Sequence, residues 1–142
     1  MEELFELRAY LEQQRYADAL VLLGEMEEMS KDDKINKVRS FIIILLLHLI
    51  KQDSARKTTR SWDLSIYNSV KEIQWINKRR KAGGYYLTVE EIQEIIAEAY
   101  PVALKNVAQE AFEGAYEEEQ LGQLVDRLQM EQKALELILA SA

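Results

Sequence analysis

The chain has no cysteine, one proline and five glycines among 142 residues, and each shortage excludes something. Without cysteine there is no disulfide framework, no thiolate zinc site and no cysteine nucleophile, and the expected setting is a reducing cytoplasm. The single histidine, His48, excludes a di-iron bundle, which needs two Glu-x-x-His pairs; Leu45 stands where the glutamate of the first pair would be. A membrane-length apolar run is also missing. The longest candidate, residues 41–50, is interrupted by His48 and closed by Lys51, far short of the ~20 residues that span a bilayer. It reads as a core helix, and no membrane association is expected. The start, Met1-Glu2-Glu3-Leu4, is acidic where a secretory signal would be basic, so no export is expected.

What is present is helical patterning. With 30% charged residues and apolar positions recurring at three and four rather than two, the expected fold class is all-α: a single bundle of six to seven helical segments. The first two segments, with Leu4, Leu7 and Leu11 on one stripe and Tyr16, Ala19, Leu20, Leu23 and Met26 on the other, read as a hairpin. Ser30 followed by Asp33 has the form of an N-cap, which predicts a central apolar helix over about 33–52. A fourth helix is expected from near Ser61, burying Trp62, Ile66, Val70, Ile73 and either Ile76 or Asn77 and ending at Gly83-Gly84. The fifth has the clearest start, with Thr88 as N-cap, Glu91 completing a capping box and Leu87 with Ile92 as the staple. Pro101 should break or kink it, leaving a sixth segment from residue 102. After Gly114 one C-terminal helix is expected, with Leu121, Leu124, Leu128, Leu135 and Ile138 on a seam and Glu131 as its polar misfit. Residues 1–142 thus read as one domain, a core bundle over 1–113 followed by a helix over 114–142 that serves oligomerisation. The stretch 15–20 echoes one helix of a tetratricopeptide unit, but no second copy follows.

Charge is unevenly spread. Residues 51–81 hold nine Lys or Arg against three Asp or Glu, a net of +6, while residues 1–50 sum to −4 and residues 82–142 to −9. Lys78, Arg79, Arg80 and Lys81, followed by Tyr85 and Tyr86, form a candidate partner-binding cluster, placed in the last turn of the fourth helix where the dipole favours cations. The same cluster could hold nucleic acid, although a pI near 4.9 argues against a dedicated binder. A second candidate is a polar cluster of Glu27, Glu28, His48, Lys51, Arg60 and Trp62, in which a carboxylate, an imidazole and a cation would meet at one end of the bundle. The alternative for these residues is helix-end organisation. Acid pairs at helical spacing, Glu94 with Glu98 and Glu113 with Glu117, read as solvated faces; no metal and no cofactor is expected. No glycine-rich phosphate loop or nucleophile elbow is present, and Ser61 and Ser65 have no second histidine to activate them.

Four stretches carry a family resemblance: Met26-Glu27-Glu28-Met29-Ser30; Leu45-Leu46-Leu47-His48-Leu49-Ile50-Lys51; Arg60-Ser61-Trp62 with Ile66; and Glu98-Ala99-Tyr100 with Ala103 and Glu110. Over roughly residues 4–112 the chain resembles domain-of-unknown-function family 29, a bacterial family abundant in cyanobacteria. The resemblance implies an all-α fold and supplies no activity. The expected function is a non-catalytic cytoplasmic interaction or assembly module with a protein partner or a second copy of itself. The rivals are a small enzyme with a polar pocket at His48, Lys51 and Trp62, and a weak nucleic-acid binder through residues 78–81.

Overall fold

The computed structural model describes residues 2–79, 83–110 and 117–140. Among these residues six helices are formed: α1 (Glu2–Glu12), α2 (Tyr16–Ala55), α3 (Arg60–Asn77), α4 (Val89–Glu110), α5 (Glu118–Leu124) and α6 (Arg127–Leu139). The all-α class is as the periodicity requires. The chain divides into two compact units, Met1–Lys34 and Ile35–Ala142.

In the first unit, α1 and the start of α2 are joined by a tight turn. Gln14 takes a left-handed backbone conformation, φ 60°, and the Arg15 N–H donates to the Tyr10 carbonyl at 2.8 Å. The Arg15 guanidinium lies 4.6 Å from the centre of the Tyr10 ring and its Nε donates to Asp18 at 2.9 Å. The Tyr10 hydroxyl donates to Glu6 at 2.9 Å, a bond that pushes the phenol pKa up. Among the described residues of this unit only Ala19 and Leu22 are buried, while Leu4, Phe5, Leu11, Tyr16, Leu20, Val21, Leu23 and Met29 stay exposed.

No helix starts at Ser30, contrary to the capping pattern. Ser30 and Asp33 lie inside the unbroken α2, because an N-cap acts only where the backbone leaves the helix, and residues 25–55 contain no glycine or proline to make it do so. The expected central helix is the second part of α2.

The core of the second unit starts from that part. Val38, Ile42, Leu45, Leu46, Leu49 and Ile50 are buried at helical spacing, whereas Ile44 is exposed, so the run is apolar all round but covered mainly on one side. Each such side chain contributes about 1.5–3 kcal/mol on burial. Val70 and Ile73 of α3, Leu87 before α4, Ile92, Ile95, Ile96, Ala99, Tyr100, Ala103, Val107 and Ala108 of α4, and Leu121, Val125, Met130, Ala134, Leu135 and Ile138 complete the cluster.

Helix α3 starts one residue before the expected position, capped by the Thr59 hydroxyl, which accepts from the Trp62 N–H at 3.0 Å. It ends at Asn77, well before Gly83-Gly84. The chain then turns back into a short bridge between Lys78 and Tyr85, and the two glycines supply the left-handed turn at φ 75° and 76° that other residues resist. Asn77 locks this turn from inside: its buried Oδ1 accepts the Leu87 N–H at 2.8 Å. Lys78 and Arg79 therefore lie beyond the helix. Lys78 is its C-cap, Arg79 follows it, and Arg80 and Lys81 fall outside the described residues.

The capping box of α4 is formed as expected, with the Glu91 N–H donating to the Thr88 hydroxyl and the Thr88 N–H to the Glu91 carboxylate, both at 3.1 Å. Leu87 and Ile92 are both buried. Pro101, however, does not end the helix. Lacking an N–H, it leaves the Ala97 carbonyl without its helical donor, and Arg127 supplies one instead, its Nη2 donating to that oxygen at 2.9 Å.

The single C-terminal helix is in fact two. Asp126 leaves the helix and caps α6, accepting from the Gln129 N–H at 3.3 Å. Both α5 and α6 pack on α4, and α6 also packs on α3, where the Gln74 amide donates to the carbonyls of Ile138 and Ala140 at 3.1 and 3.0 Å. The expected seam is thereby split: Leu121, Leu135 and Ile138 lie in the core, while Leu124 and Leu128 are exposed. Glu131 is half-buried and 3.6 Å from Arg127. Among the described residues no helix is long and apolar enough to cross a membrane.

Candidate interaction surface

Helix α3 has two unlike faces. Val70, Ile73 and Asn77 point into the core with Trp62 and Ile66 half-buried beside them. At 100° per residue the opposite direction is occupied by Ser61, Leu64, Asn68 and Trp75, with Arg60, Tyr67, Lys71 and Lys78 along one edge and the exposed Glu72 along the other. Leu64, Tyr67 and Trp75 are 59%, 59% and 61% exposed, which matters because large apolar side chains grouped on one helix face, unlike ones scattered singly, mark interaction sites. The Lys71 ammonium lies 5.5 Å from the Tyr67 ring centre. The result is a stripe of Leu, Tyr and Trp with cations at both ends and in the middle. Its signal in the sequence was periodicity alone, since the residues opposite a core face become legible once that face is chosen; the expected core of this helix named only the inward set.

Of the expected polar cluster, the structure brings two members together. The Lys51 ammonium sits 5.9 Å from the Trp62 ring centre, which leaves Trp62 half-buried under a cation instead of deep in the core. His48 is half-buried, and its Nδ1–H donates to the Ile44 carbonyl of its own helix at 2.9 Å, not to another helix. Arg60 is exposed. Glu27 and Glu28 are exposed and belong to the first unit. The closest-knit polar group nearby has no counterpart among the expected residues: Gln52 Nε2 donates to Thr58 Oγ1 at 2.6 Å and to Asp63 Oδ1 at 3.1 Å, and Thr58 Oγ1 donates to the same Asp63 oxygen at 2.8 Å. This network ties the end of α2 to the start of α3.

In the basic cluster, Tyr85 is exposed, and the Arg79 guanidinium lies 6.0 Å from the Tyr86 ring centre. Lys78 and Tyr85 also border a cavity of about 430 Å³, with Leu87, Ile92 and Ile138 among its apolar walls and Gln74 beside them. Neither His48, Lys51 nor Trp62 lines it. Gln74 Oε1 is buried without a partner among the described residues, while its amide nitrogen donates to the Ile138 and Ala140 carbonyls. Among the described residues no group of three His, Cys, Asp or Glu side chains is placed to hold a metal ion.

Around the Pro101 site, the Arg127 guanidinium also covers the Tyr100 ring, 4.9 Å from its centre. The Tyr100 hydroxyl is buried without a partner among the described residues, and burial pushes the phenol pKa above its ordinary value, only partly opposed by Arg127.

An α-helical protein whose second unit is built around one apolar helix segment, with an aromatic and basic face left exposed on another, is the class these observations define. The profile of the family described as Domain of unknown function DUF29 matches residues 6–123, and the chain belongs to that family. The match runs past Phe112 and takes in α5 up to its last residue but one. No curated protein and no solved structure matched the chain.

Proposed function

We infer that the protein is a non-catalytic interaction module, and that the outward face of α3 is its docking surface for an acidic amphipathic helix. The observation that carries this reading is the exposure of Leu64, Tyr67 and Trp75 along one helix face interleaved with Arg60, Lys71 and Lys78. Tyrosine and tryptophan are the side chains that anchor protein interfaces, and flanking cations select an acidic partner and steer its approach. The apolar residues of the stripe recur at i, i+3 and i+11 with cations beside them, so the partner it suits is a helix with a continuous apolar face and acids along its edge.

The test uses Trp62→Phe, which leaves Trp75 as the one emitter. A synthetic acidic amphipathic helix titrated into this variant is expected to shift the Trp75 emission to the blue, saturably and less so at high salt. Lys71→Glu should abolish the shift, and a peptide with its acids replaced by lysine should not produce it. An emission that stays at the exposed position through the titration contradicts the reading.

A further inference from the structure

We propose that the cavity between the end of α3, the start of α4 and the end of α6 is a binding site for a small aliphatic carboxylic acid. Its volume, about 430 Å³, falls within the ~300–1,000 Å³ of small-molecule sites. The floor is apolar: Leu87, Ile92 and Ile138 line it, and all three belong to the buried core cluster. The cavity therefore reaches the core of the second unit. Val89 and Leu139, at its rim, are partly in solvent and leave the apolar floor open to a ligand. Of the residues on the outward side of α3, only Lys78 also lines the cavity, so the two sites are separate.

Hydrogen-bond accounting selects the head group. The carbonyls at the two helix ends beside the cavity are already taken: Gln74 O accepts the Lys78 N–H at 3.2 Å, Asn77 O accepts the Tyr86 N–H at 2.8 Å, and the Ile138 and Ala140 carbonyls accept from Gln74 Nε2. Asn77 Oδ1 is likewise spent on the Leu87 N–H, and Gln74 Oε1 is buried out of reach of solvent. Donors are left over. The Asn77 amide nitrogen, on a residue only 6% exposed, makes no hydrogen bond among the described residues, and the Lys78 ammonium and the Tyr85 hydroxyl stand at the same cavity. Among the described residues no carboxylate lines it, so Lys78 sets the sign of its charge. Helix α4 also turns its first turn to the cavity through Val89 and Ile92, the helix end that favours negative charge. A carboxylate, which carries that charge and only accepts, meets these donors. An ammonium would face Lys78 with no acceptor of its own.

Octanoate titrated into the full-length chain tests this by calorimetry and NMR. Binding is expected to saturate at one octanoate per chain, with nuclear Overhauser contacts from the octanoate methyl to the Ile92 and Ile138 methyls. Octylamine, the same alkyl chain with the opposite charge, should bind at least about tenfold more weakly. Lys78→Met should weaken octanoate about tenfold, the weight of a partly exposed charge-assisted hydrogen bond; Lys78→Arg should restore most of the loss, and neither should alter the binding of octanol. Leu139→Trp, which lays a larger ring across the rim, should weaken octanoate and octanol alike. Lys78 and Leu139 are exposed, so these variants should melt with the parent. Octanoate that gives no saturable contacts with Ile92 and Ile138 overturns the site. Octylamine that binds as well as octanoate, or octanoate binding that is indifferent to Lys78→Met, overturns the assignment of a carboxylate.

Discussion

Replacing Arg127 by alanine removes the donor that serves the carbonyl stranded by Pro101. Three contributions are lost together. The hydrogen bond to the Ala97 carbonyl is charge-assisted, worth about 1.5–3 kcal/mol when buried, but the Arg127 side chain is 49% exposed, which reduces it to about 1 kcal/mol. Its position over the Tyr100 ring adds about 0.5–1 kcal/mol, and the 3.6 Å pair with Glu131 adds little. Arg127→Ala should therefore cost about 2 kcal/mol. The diagnostic comparison is the same substitution in a Pro101→Ala background. There residue 101 regains an N–H and restores the helical bond to the Ala97 oxygen, so the loss should fall to about 1 kcal/mol, a coupling of about 1 kcal/mol in a double-mutant cycle. Urea unfolding followed by tryptophan emission reads it, since both tryptophans lie in α3 of the same unit and a constant m-value confirms that only stability has changed. Equal costs in the two backgrounds would refute the claim that Arg127 replaces the helical hydrogen bond that the proline cannot make.

Tyr100→Phe removes a buried hydroxyl without a partner among the described residues and should leave stability at neutral pH unchanged or improved. In the parent, burial raises the Tyr100 pKa above 10.0, so the folded state favours the neutral phenol. That contribution is fully present below the unfolded pKa and is lost as pH rises through the raised folded value, and the phenylalanine variant should show a shallower alkaline loss in urea midpoints taken above pH ~10. Asn77→Ala strips the buried Leu87 N–H of its acceptor and should cost about 1–3 kcal/mol in the same assay. Gly24 lies inside α2, and a Cβ added there would meet nothing within 4 Å, so Gly24→Ala should stabilise the helix by about 1 kcal/mol, read by circular dichroism on heating. Trp62→Ala should cost about 1–3 kcal/mol, below the ~3–5 kcal/mol of a fully buried ring, because Trp62 is half-buried.

Local signals in the chain were legible where a single residue type has one physical use. Thr88, Glu91, Leu87 and Ile92 specify the start of α4 by themselves. They failed where a local preference met a tertiary answer. Ser30 and Asp33 have the chemistry of a cap, yet caps compete with helix continuation, and the surrounding glutamates, methionines and lysines favour continuation. Pro101 costs a helix its bond, but the replacement donor comes from a residue 30 positions away in sequence, a distance no local rule spans. The break at Val125 was partly readable, since Asp126 three residues before Gln129 is a capping pattern; the leucine spacing on either side concealed it. For the candidate surface, the cations of residues 51–81 marked the region, and the aromatic residues among them became informative only once α3 had an inside and an outside.

The most direct measurement of the central claim is the accessibility of Trp75 in the full-length Trp62→Phe chain. Quenching by a small neutral quencher such as acrylamide, recorded while a synthetic acidic amphipathic helix is titrated in, should fall saturably, and Lys71→Glu should abolish the change. Quenching that remains that of an exposed indole through the whole titration would contradict the assignment of the α3 face.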